Sequence, residues 1–223
     1  MGEYGEYSIR AELKRDSILM VLLLAALVGA AAVYPFLPAR VPIHWNAAGE
    51  IDNYGSRAFG AFFGPLLGLG MYLLMLAVPL IDPRKANYAT FVSTYRLFRW
   101  VITLFMLMIW VVTMFVSLGY PVDVGIVVRL GVGALFVFIG NHLGNVRHNY
   151  FVGIRTPWTL ADPEVWRRTH RVGGWVMVAG GLLVMASALL PGEKAWIVLL
   201  VVAVGLSLGL TLYSCVLYLR RPK

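Results

Sequence analysis

Six uninterrupted apolar runs, each 19 to 24 residues long, constrain this chain more than any other feature. None of the eleven acidic residues falls inside a run. About 20 apolar residues form a helix long enough to cross a hydrocarbon layer of roughly 30 Å, and a helix satisfies its own backbone hydrogen bonds there. We therefore predict an all-α integral membrane protein with six transmembrane helices, at Ser17–Leu37, Ala58–Ile81, Trp100–Gly119, Val124–Gly144, Val172–Leu190 and Ala195–Tyr218.

The overall composition excludes a water-soluble domain, because 60% of the residues are hydrophobic and only 13% are charged. No low-complexity linker divides the chain, so we expect a single membrane domain over residues 1–223. Within it, residues 1–81 hold the first two spans, 82–144 the third and fourth, and 145–223 the last two. The single cysteine, Cys215, lies in the last run, so an intramolecular disulfide is impossible.

The positions of lysine and arginine predict the orientation. The two termini and the connections 82–99 and 145–171 carry 15 of the 19 basic residues, the alternate connections carry three, and Arg129 lies inside a span. Because cytoplasmic loops are enriched in Lys and Arg, we expect both termini (N-in/C-in) and the 27-residue loop 145–171 on the cytoplasmic side of a prokaryotic inner membrane. The 20-residue loop 38–57 then lies outside. This bias explains the net charge of +8 without nucleic acid binding.

The outer loop combines a candidate strand with turn-forming residues. "PIHW" predicts a short strand, "NAAGE" a turn, and "DNYGSR" a second turn that returns the chain to the membrane. Imidazole and carboxylate groups can bind a cation, which makes three side chains of this loop weak candidate metal ligands. The alternative is a purely structural role, as a cap of the turn and a hydrogen bond across it. The candidate outer site comprises His44, Trp45, Asn46, Glu50 and Asp52, with His44, Glu50 and Asp52 as the possible metal ligands.

Few polar residues lie within the spans. Arg129, Asn141 and His142 all belong to the fourth run, and an intramembrane ionisable residue is a functional candidate by default. In the structural alternative, Arg129 extends outward towards Asp123 and His142 reaches the headgroup region.

Glycine spacing in the second run predicts close helix packing. Gly60, Gly64 and Gly68 lie four residues apart on one helix face, which lets two backbones approach closely in lipid. We interpret this face as an intramolecular contact rather than a dimer interface.

The inner loop is the most polar segment of the chain. "NYFVGIRTPW", residues 149–158, predicts an extended or turn-rich strip. Asp162 followed by Pro163 predicts the start of a short amphipathic helix that continues into the fifth span. On it, Trp166 and His170 are four residues apart and share a face. Two interpretations remain open: an interfacial helix that carries topology charges, or a surface that binds an anion or an acidic partner.

A family resemblance appears at these residues. "GNHLGNVRHNYFVGIRTPWTLADPEVWRRTHRVGG", residues 140–174, closely resembles the signature of the SdpI family of bacterial membrane proteins. The outer segment "VPIHWNAAGEIDNYGS" resembles the domain of unknown function that commonly precedes it. The resemblance implies immunity to a secreted killing peptide, or signalling through a repressor-type protein held at the membrane. The inner-loop candidates for ligand or partner binding are Asn149, Tyr150, Gly153, Arg155, Thr156, Pro157, Trp158, Trp166 and His170.

Three functional classes follow, in order of preference. The first is an immunity or signal-transducing protein, whose partners are the bilayer, a peptide toxin outside and a regulator inside. The second is a small solute or ion transporter, or a channel, lined by the polar residues of the fourth span. The third is a metal-dependent membrane enzyme, which would require acid–base groups that converge in space. We expect no cofactor.

Overall fold

A computed structural model describes residues 6–221. Within that range six helices are long and apolar enough to cross a membrane, which confirms the prediction of a six-span helical membrane protein. Two short helices and one β-hairpin lie outside the spans. In chain order the elements are α1 (Ile9–Arg15), α2 (Ser17–Val33), β1 (Arg40–Trp45), β2 (Ile51–Ser56), α3 (Arg57–Ile81), α4 (Val92–Ser117), α5 (Val124–Leu143), α6 (Pro157–Ala161), α7 (Pro163–Ala186) and α8 (Gly192–Leu219).

The third membrane helix starts earlier than its apolar run predicts. α4 begins at Val92 rather than at Trp100, because Arg96 and Arg99 interrupt the apolar run but not the helix. Both arginines pair with carboxylates, so the helix accommodates their charge. Three 3₁₀ segments, which complete the connections, are Tyr34–Phe36, Lys85–Thr90 and Ser187–Leu189.

The connection between α2 and α3 folds as a two-stranded antiparallel hairpin. The strand predicted at "PIHW" is confirmed and spans Arg40–Trp45. The second turn predicted at "DNYGSR" is wrong, because Ile51–Ser56 pairs with β1 as a strand with an irregular register. Turn-forming residues dominate this segment, yet the backbone pairing with β1 determines its conformation. The positive φ of Gly49 (+88°) closes the turn between the two strands.

The six spans form two halves. The N-terminal half contains α1 to α4 and the hairpin, and the C-terminal half contains α5 to α8. α5 and α7 pack so closely that a side chain at Gly140 would meet the backbone of Gly174, and one at Gly133 would meet that of Gly181. In the N-terminal half, Gly64 faces the indole of Trp110 in the same way.

The glycine face of α3 packs within the protein. Gly60 lies against Val41 of the hairpin, Gly64 against Trp110, and Gly68 near Leu107. These contacts confirm the interpretation of this face as an intramolecular interface.

The two ends of the bundle carry different polar elements. We call one the signature end, which consists of α1 with Asp16 and of residues 82–100, 144–171 and 220–221. The other is the hairpin end, built around β1 and β2. Both ends bridge the two halves. At the hairpin end, the carbonyls of Ala47 and Ala48 in the hairpin turn lie against Gly192 at the start of α8. The equivalent bridge at the signature end is described below.

Candidate functional site

At the signature end, a cluster of buried charges links α1 and the following Asp16 with α4. Arg99 donates to Asp16 (Nε–Oδ2, 2.8 Å) and to Glu12 (Nη2–Oε2, 2.9 Å), and Arg96 donates two further hydrogen bonds to Glu12. Trp100 Nε1 also donates to Asp16, at 2.6 Å. Arg99 and Asp16 have no exposed surface, and Glu12 is 2% exposed. Burial alone would raise the pKa of Glu12, but the hydrogen bonds from the two arginines hold it below its usual range.

The side chain of Asp82 connects the two halves across the signature end. Its carboxylate follows the last residue of α3 and accepts hydrogen bonds from the Tyr88 hydroxyl (3.0 Å) and from the backbone N–H of Tyr150 (2.9 Å). Asn87 adds a second bridge, since its Nδ2 donates to the His148 carbonyl at 2.7 Å. The loop 144–156 between α5 and α6, which we call the signature loop, is therefore held by residues of the connection between α3 and α4.

Asn149 organises the loop itself. Its side chain is fully buried, and its Nδ2 donates to the carbonyls of Arg147 (2.8 Å) and Val152 (3.0 Å). Its Oδ1 accepts from the backbone N–H groups of Phe151 and Val152. Every polar group of the amide thus has a partner within the protein, so no atom of Asn149 is left for a ligand.

Trp166 and His170 share a face of α7, as predicted, and that face points into the protein. Their rings stack with centroids 4.0 Å apart, and the two residues are 2% and 1% exposed. Trp166 Nε1 donates to the carbonyl of Val146 at 2.9 Å. His170 Nε2 accepts from the backbone N–H of Ile154 at 3.0 Å, while Nδ1 donates to the Trp166 carbonyl. The imidazole is therefore a neutral connector between α7 and the loop.

Gly153 permits this contact between the loop and His170. Its φ is +113°, and a methyl group at this position would overlap Nε2 of His170. Both the backbone conformation and the lack of space require glycine here.

Two threonines complete the anchoring of the loop. Thr156 and Thr159 form a capping box at the start of α6, in which each side chain bonds the backbone of the other. Thr156 Oγ1 also lies 2.9 Å from Ser214 Oγ of α8. The predicted extended strip therefore ends at Thr156, and Pro157 and Trp158 form the first turn of a short helix that the sequence did not predict.

The predicted start of α7 is confirmed in detail. Asp162 accepts hydrogen bonds from the N–H groups of Glu164 (2.8 Å) and Val165 (3.0 Å), which lower the pKa of its carboxyl group. Glu164 pairs with Arg167 and Arg168, at 2.7 and 2.6 Å.

Burial divides the predicted inner site into two groups. Asn149, Thr156, Trp166 and His170 lie inside the protein, and their role in binding a partner stays a prediction. The polar groups of these four side chains form hydrogen bonds inside the protein, and a buried polar group without such a partner would lower the free energy of unfolding. The accessible candidates are Tyr150, Gly153, Arg155 and Pro157, with Trp158 half-buried, and their binding role stays a prediction.

The outer candidates lie together on the hairpin. His44 Nδ1 and Asp52 Oδ1 are 2.6 Å apart, and their side chains are 65% and 42% exposed. Glu50 instead accepts a hydrogen bond from Asn46 Nδ2, whose Oδ1 accepts from the backbone N–H groups of Ala48 and Glu50. The three possible metal ligands are thus split between two contacts, and within residues 6–221 no group of three or more such side chains is placed to hold a metal.

The polar residues of the fourth span remain separate. His142 Nδ1 lies 2.9 Å from the carbonyl of Phe138, and its ring stacks on Phe138. Asn141 is exposed on the same helix. Arg129 is half-buried, and its guanidinium group and the Asp123 carboxylate both lie beside Gly125, but Nε of Arg129 has no hydrogen-bond partner among the described residues. Arg129 lies near the start of α5, whereas Asn141 and His142 lie near its end, and a role of the three in transport stays a prediction.

Two parts of the site were missed by sequence reasoning. The first is the charge cluster, which the spacing could have indicated: Glu12 and Asp16 lie four residues apart, Arg96 and Arg99 three apart, and all flank spans on the same predicted side. The second is Asp82, a single acidic residue at the end of the second apolar run, which carries no distinguishing pattern.

Comparisons with known proteins agree with this division into two structured ends. Residues 145–214 match the SdpI/YfhL protein family, and residues 20–69 match a domain of unknown function (DUF1648). The immunity protein SdpI of Bacillus subtilis (strain 168) is 26% identical over 189 residues, which cover 85% of this chain and 88% of that protein. No solved structure matches significantly. The resemblance to the SdpI family inferred from the signature is therefore confirmed.

Proposed function

We propose that this chain, which carries an SdpI-family segment and a DUF1648 segment, is a membrane immunity protein that protects its cell against a secreted peptide toxin. One observation carries the proposal: an immunity protein is similar to this chain over 85% of the length of the chain, and matches to two family models include parts of both polar ends of the bundle. Residues 20–69 contain the hairpin, and residues 145–214 contain most of the signature loop. The relative named as an immunity protein is similar over nearly its whole length.

In this proposal the hairpin end faces outward and the signature end faces the cytoplasm. The support is the distribution of basic residues, 15 of 19 at the termini and at the connections of the signature end. The hairpin then meets the toxin first.

The hairpin offers a mixed surface to a peptide. His44 and Asp52 form an exposed pair, and Tyr54 is 48% exposed next to them on β2. Trp45 lies over an apolar groove between α3 and α4, together with Phe59 and Phe63. A peptide with both charged and apolar residues would find partners for both in this surface.

At the cytoplasmic side, the proposed contact with a regulator uses exposed arginines. Arg167 and Arg168 are already paired with Glu164. Arg147, Arg155 and Arg171 are exposed and have no carboxylate within 4.0 Å in the described part of the chain. An acidic segment of a partner protein would complement them.

The test of immunity is survival of a toxin-sensitive host that expresses the protein, compared with a host that carries an empty vector, under challenge with secreted peptide toxins. We expect higher survival with the protein at every toxin dose that kills the control. Equal survival across the dose series, with the protein present in the membrane, would overturn the proposal.

The orientation is tested separately by cysteine labelling. With Cys215→Ser as background, Ala48→Cys places a thiol in the hairpin turn and Ala161→Cys places one at the last residue of α6, both at exposed positions. A membrane-impermeant maleimide should label Ala48→Cys in intact cells and Ala161→Cys only after permeabilisation. The reverse pattern would overturn the orientation while leaving the immunity test intact.

A further inference from the structure

A cavity of about 580 Å³ lies between the two halves, beneath the signature loop. Helices α3 and α4 form one wall, α5, α7 and α8 form the other, and residues 151–155 form the roof. The volume is that of a small-molecule or lipid-chain site. The two halves therefore enclose a space that no side chain of the described protein fills.

The lining of the cavity is apolar except at one end. Met75, Ile139 and Leu206 are representative of its walls, whereas Arg155 at the roof is its only charged residue. Leu74 (56% exposed) and Phe151 (38% exposed) lie at its edge, so the cavity opens sideways towards the bilayer. This arrangement matches a molecule that has an apolar tail and an anionic head.

The charge at the roof is available to a ligand. Arg155 donates one hydrogen bond to the carbonyl of Tyr150, at 2.9 Å, and has no carboxylate partner within 4.0 Å in the described residues. The guanidinium group of Arg84 lies over the ring of the same tyrosine, 5.1 Å from the ring centroid. Two guanidinium groups thus flank Tyr150, where an anionic headgroup would lie.

The position and charge of the cavity favour a lipid. The α3 wall runs from Met71 to Val78, which is a rise of about 10 Å at 1.5 Å per residue. An acyl chain is the apolar group that a bilayer supplies at a cavity that opens sideways, and Arg155 complements the anionic headgroup attached to it.

We infer that the cavity binds one anionic phospholipid from the leaflet at the signature end, with an acyl chain between the two halves and the phosphate at Arg155. The bound chain fills the gap between the halves, and the headgroup fixes the loop that joins them. The lipid thereby becomes part of the bridge that Asp82 and Asn87 form at the same end. This inference is independent of the toxin, and its test does not involve survival.

The test is native mass spectrometry of the full chain released from bilayers of equimolar phosphatidylglycerol and phosphatidylcholine. We expect wild type to retain one phosphatidylglycerol in about fivefold preference, as one arginine near an anionic surface provides. Arg155→Gln should retain both lipids equally, and Arg155→Lys should restore the preference. Arg171→Gln is the matched control, an exposed arginine at the same end that does not line the cavity.

A second pair of variants tests the acyl chain. Leu206→Trp places an indole in the cavity wall, whereas Leu208→Trp places one on the exposed face of the same helix. We expect Leu206→Trp to lose most of the retained lipid and Leu208→Trp to keep it. Equal retention of the two lipids by wild type, equal behaviour of Arg155→Gln and Arg171→Gln, undiminished lipid in Leu206→Trp, or a second protein chain in place of lipid would each overturn the inference.

Discussion

The hairpin end and the signature end of the bundle use polar residues in opposite ways. At the hairpin end, His44 and Asp52 pair at the surface, where water surrounds both groups. At the signature end, the polar side chains of Asn149 and His170 lie inside and bond the backbone of the loop that joins the halves. A segment rich in motif residues is thus not necessarily a binding surface, because buried polar groups in a membrane protein must first satisfy each other.

The largest expected contrast between the ends comes from buried charge. Arg99→Ala leaves Asp16 buried without its main partner, which should reduce the free energy of unfolding by about 3–5 kcal/mol. Asp52→Ala at the hairpin end removes an exposed pair and should cost at most about 1 kcal/mol. Unfolding of the purified proteins in mild detergent measures both values. Equal losses for the two variants would contradict the contrast.

Glycine substitutions sharpen the comparison at the level of the backbone. Gly153→Ala puts an alanine into a backbone conformation with positive φ, and its methyl group clashes with His170. We expect the free energy of unfolding to fall by about 3 kcal/mol. Gly49→Ala puts an alanine into a conformation with positive φ, but its methyl group meets no neighbouring atom. We expect the free energy of unfolding to fall by only about 1 kcal/mol. Melting temperature and membrane abundance report the difference. Gly144→Ala, which meets no neighbouring atom, is the control for substitution itself and should be close to neutral.

The bridge between the halves is the next target. Asp82→Asn keeps the shape but removes the charge that accepts hydrogen bonds from Tyr88 and the Tyr150 N–H, at a cost of about 2 kcal/mol. The same change at Asp52 should cost less than about 1 kcal/mol. Hydrogen exchange of residues 149–156 distinguishes the two: exchange should accelerate in Asp82→Asn and stay at the wild-type rate in Asp52→Asn. Unchanged exchange in both variants would show that Asp82 does not hold the loop.

The smallest expected effect is a dependence on pH. Since the folded pKa of Glu12 lies below its usual range, the stabilisation from Glu12 is fully present above the unfolded pKa of about 4.3 and is lost as the pH falls through the folded value. The difference in melting temperature between wild type and Glu12→Gln should therefore be constant near neutral pH and shrink at acidic pH. A difference that stays the same down to about pH 3 would show that Glu12 does not titrate with a lowered pKa.

Sequence alone predicted the features that depend on local pattern. The six helices follow from apolar length, and the start of α7 follows from Asp162 and Pro163, since a helix cap is decided by neighbouring residues. The shared face of Trp166 and His170 also follows from helical spacing.

Features that depend on distant contacts could not be predicted from pattern. β2 carries the composition of a turn and becomes a strand only because β1 lies beside it. Helical spacing places Trp166 and His170 on one face but does not decide whether that face points to water or into the protein. Asp82 acquires its role from Tyr150, which is 68 residues away in the chain.

The most direct test of the central claim compares the two ends in a survival assay. His44→Ala combined with Asp52→Ala removes the exposed pair of the hairpin, and Arg155→Ala combined with Arg171→Ala removes two exposed arginines of the signature end. Both double variants are expressed in a toxin-sensitive host, matched to wild type in membrane abundance, and challenged with the toxin. The account predicts that the hairpin variant loses protection, because the hairpin meets the toxin, while the signature-end variant, which alters only the proposed contacts with a regulator and a lipid, keeps it. Full protection by the hairpin variant, with loss in the signature-end variant, would contradict the account and assign protection to the exposed arginines of the signature end.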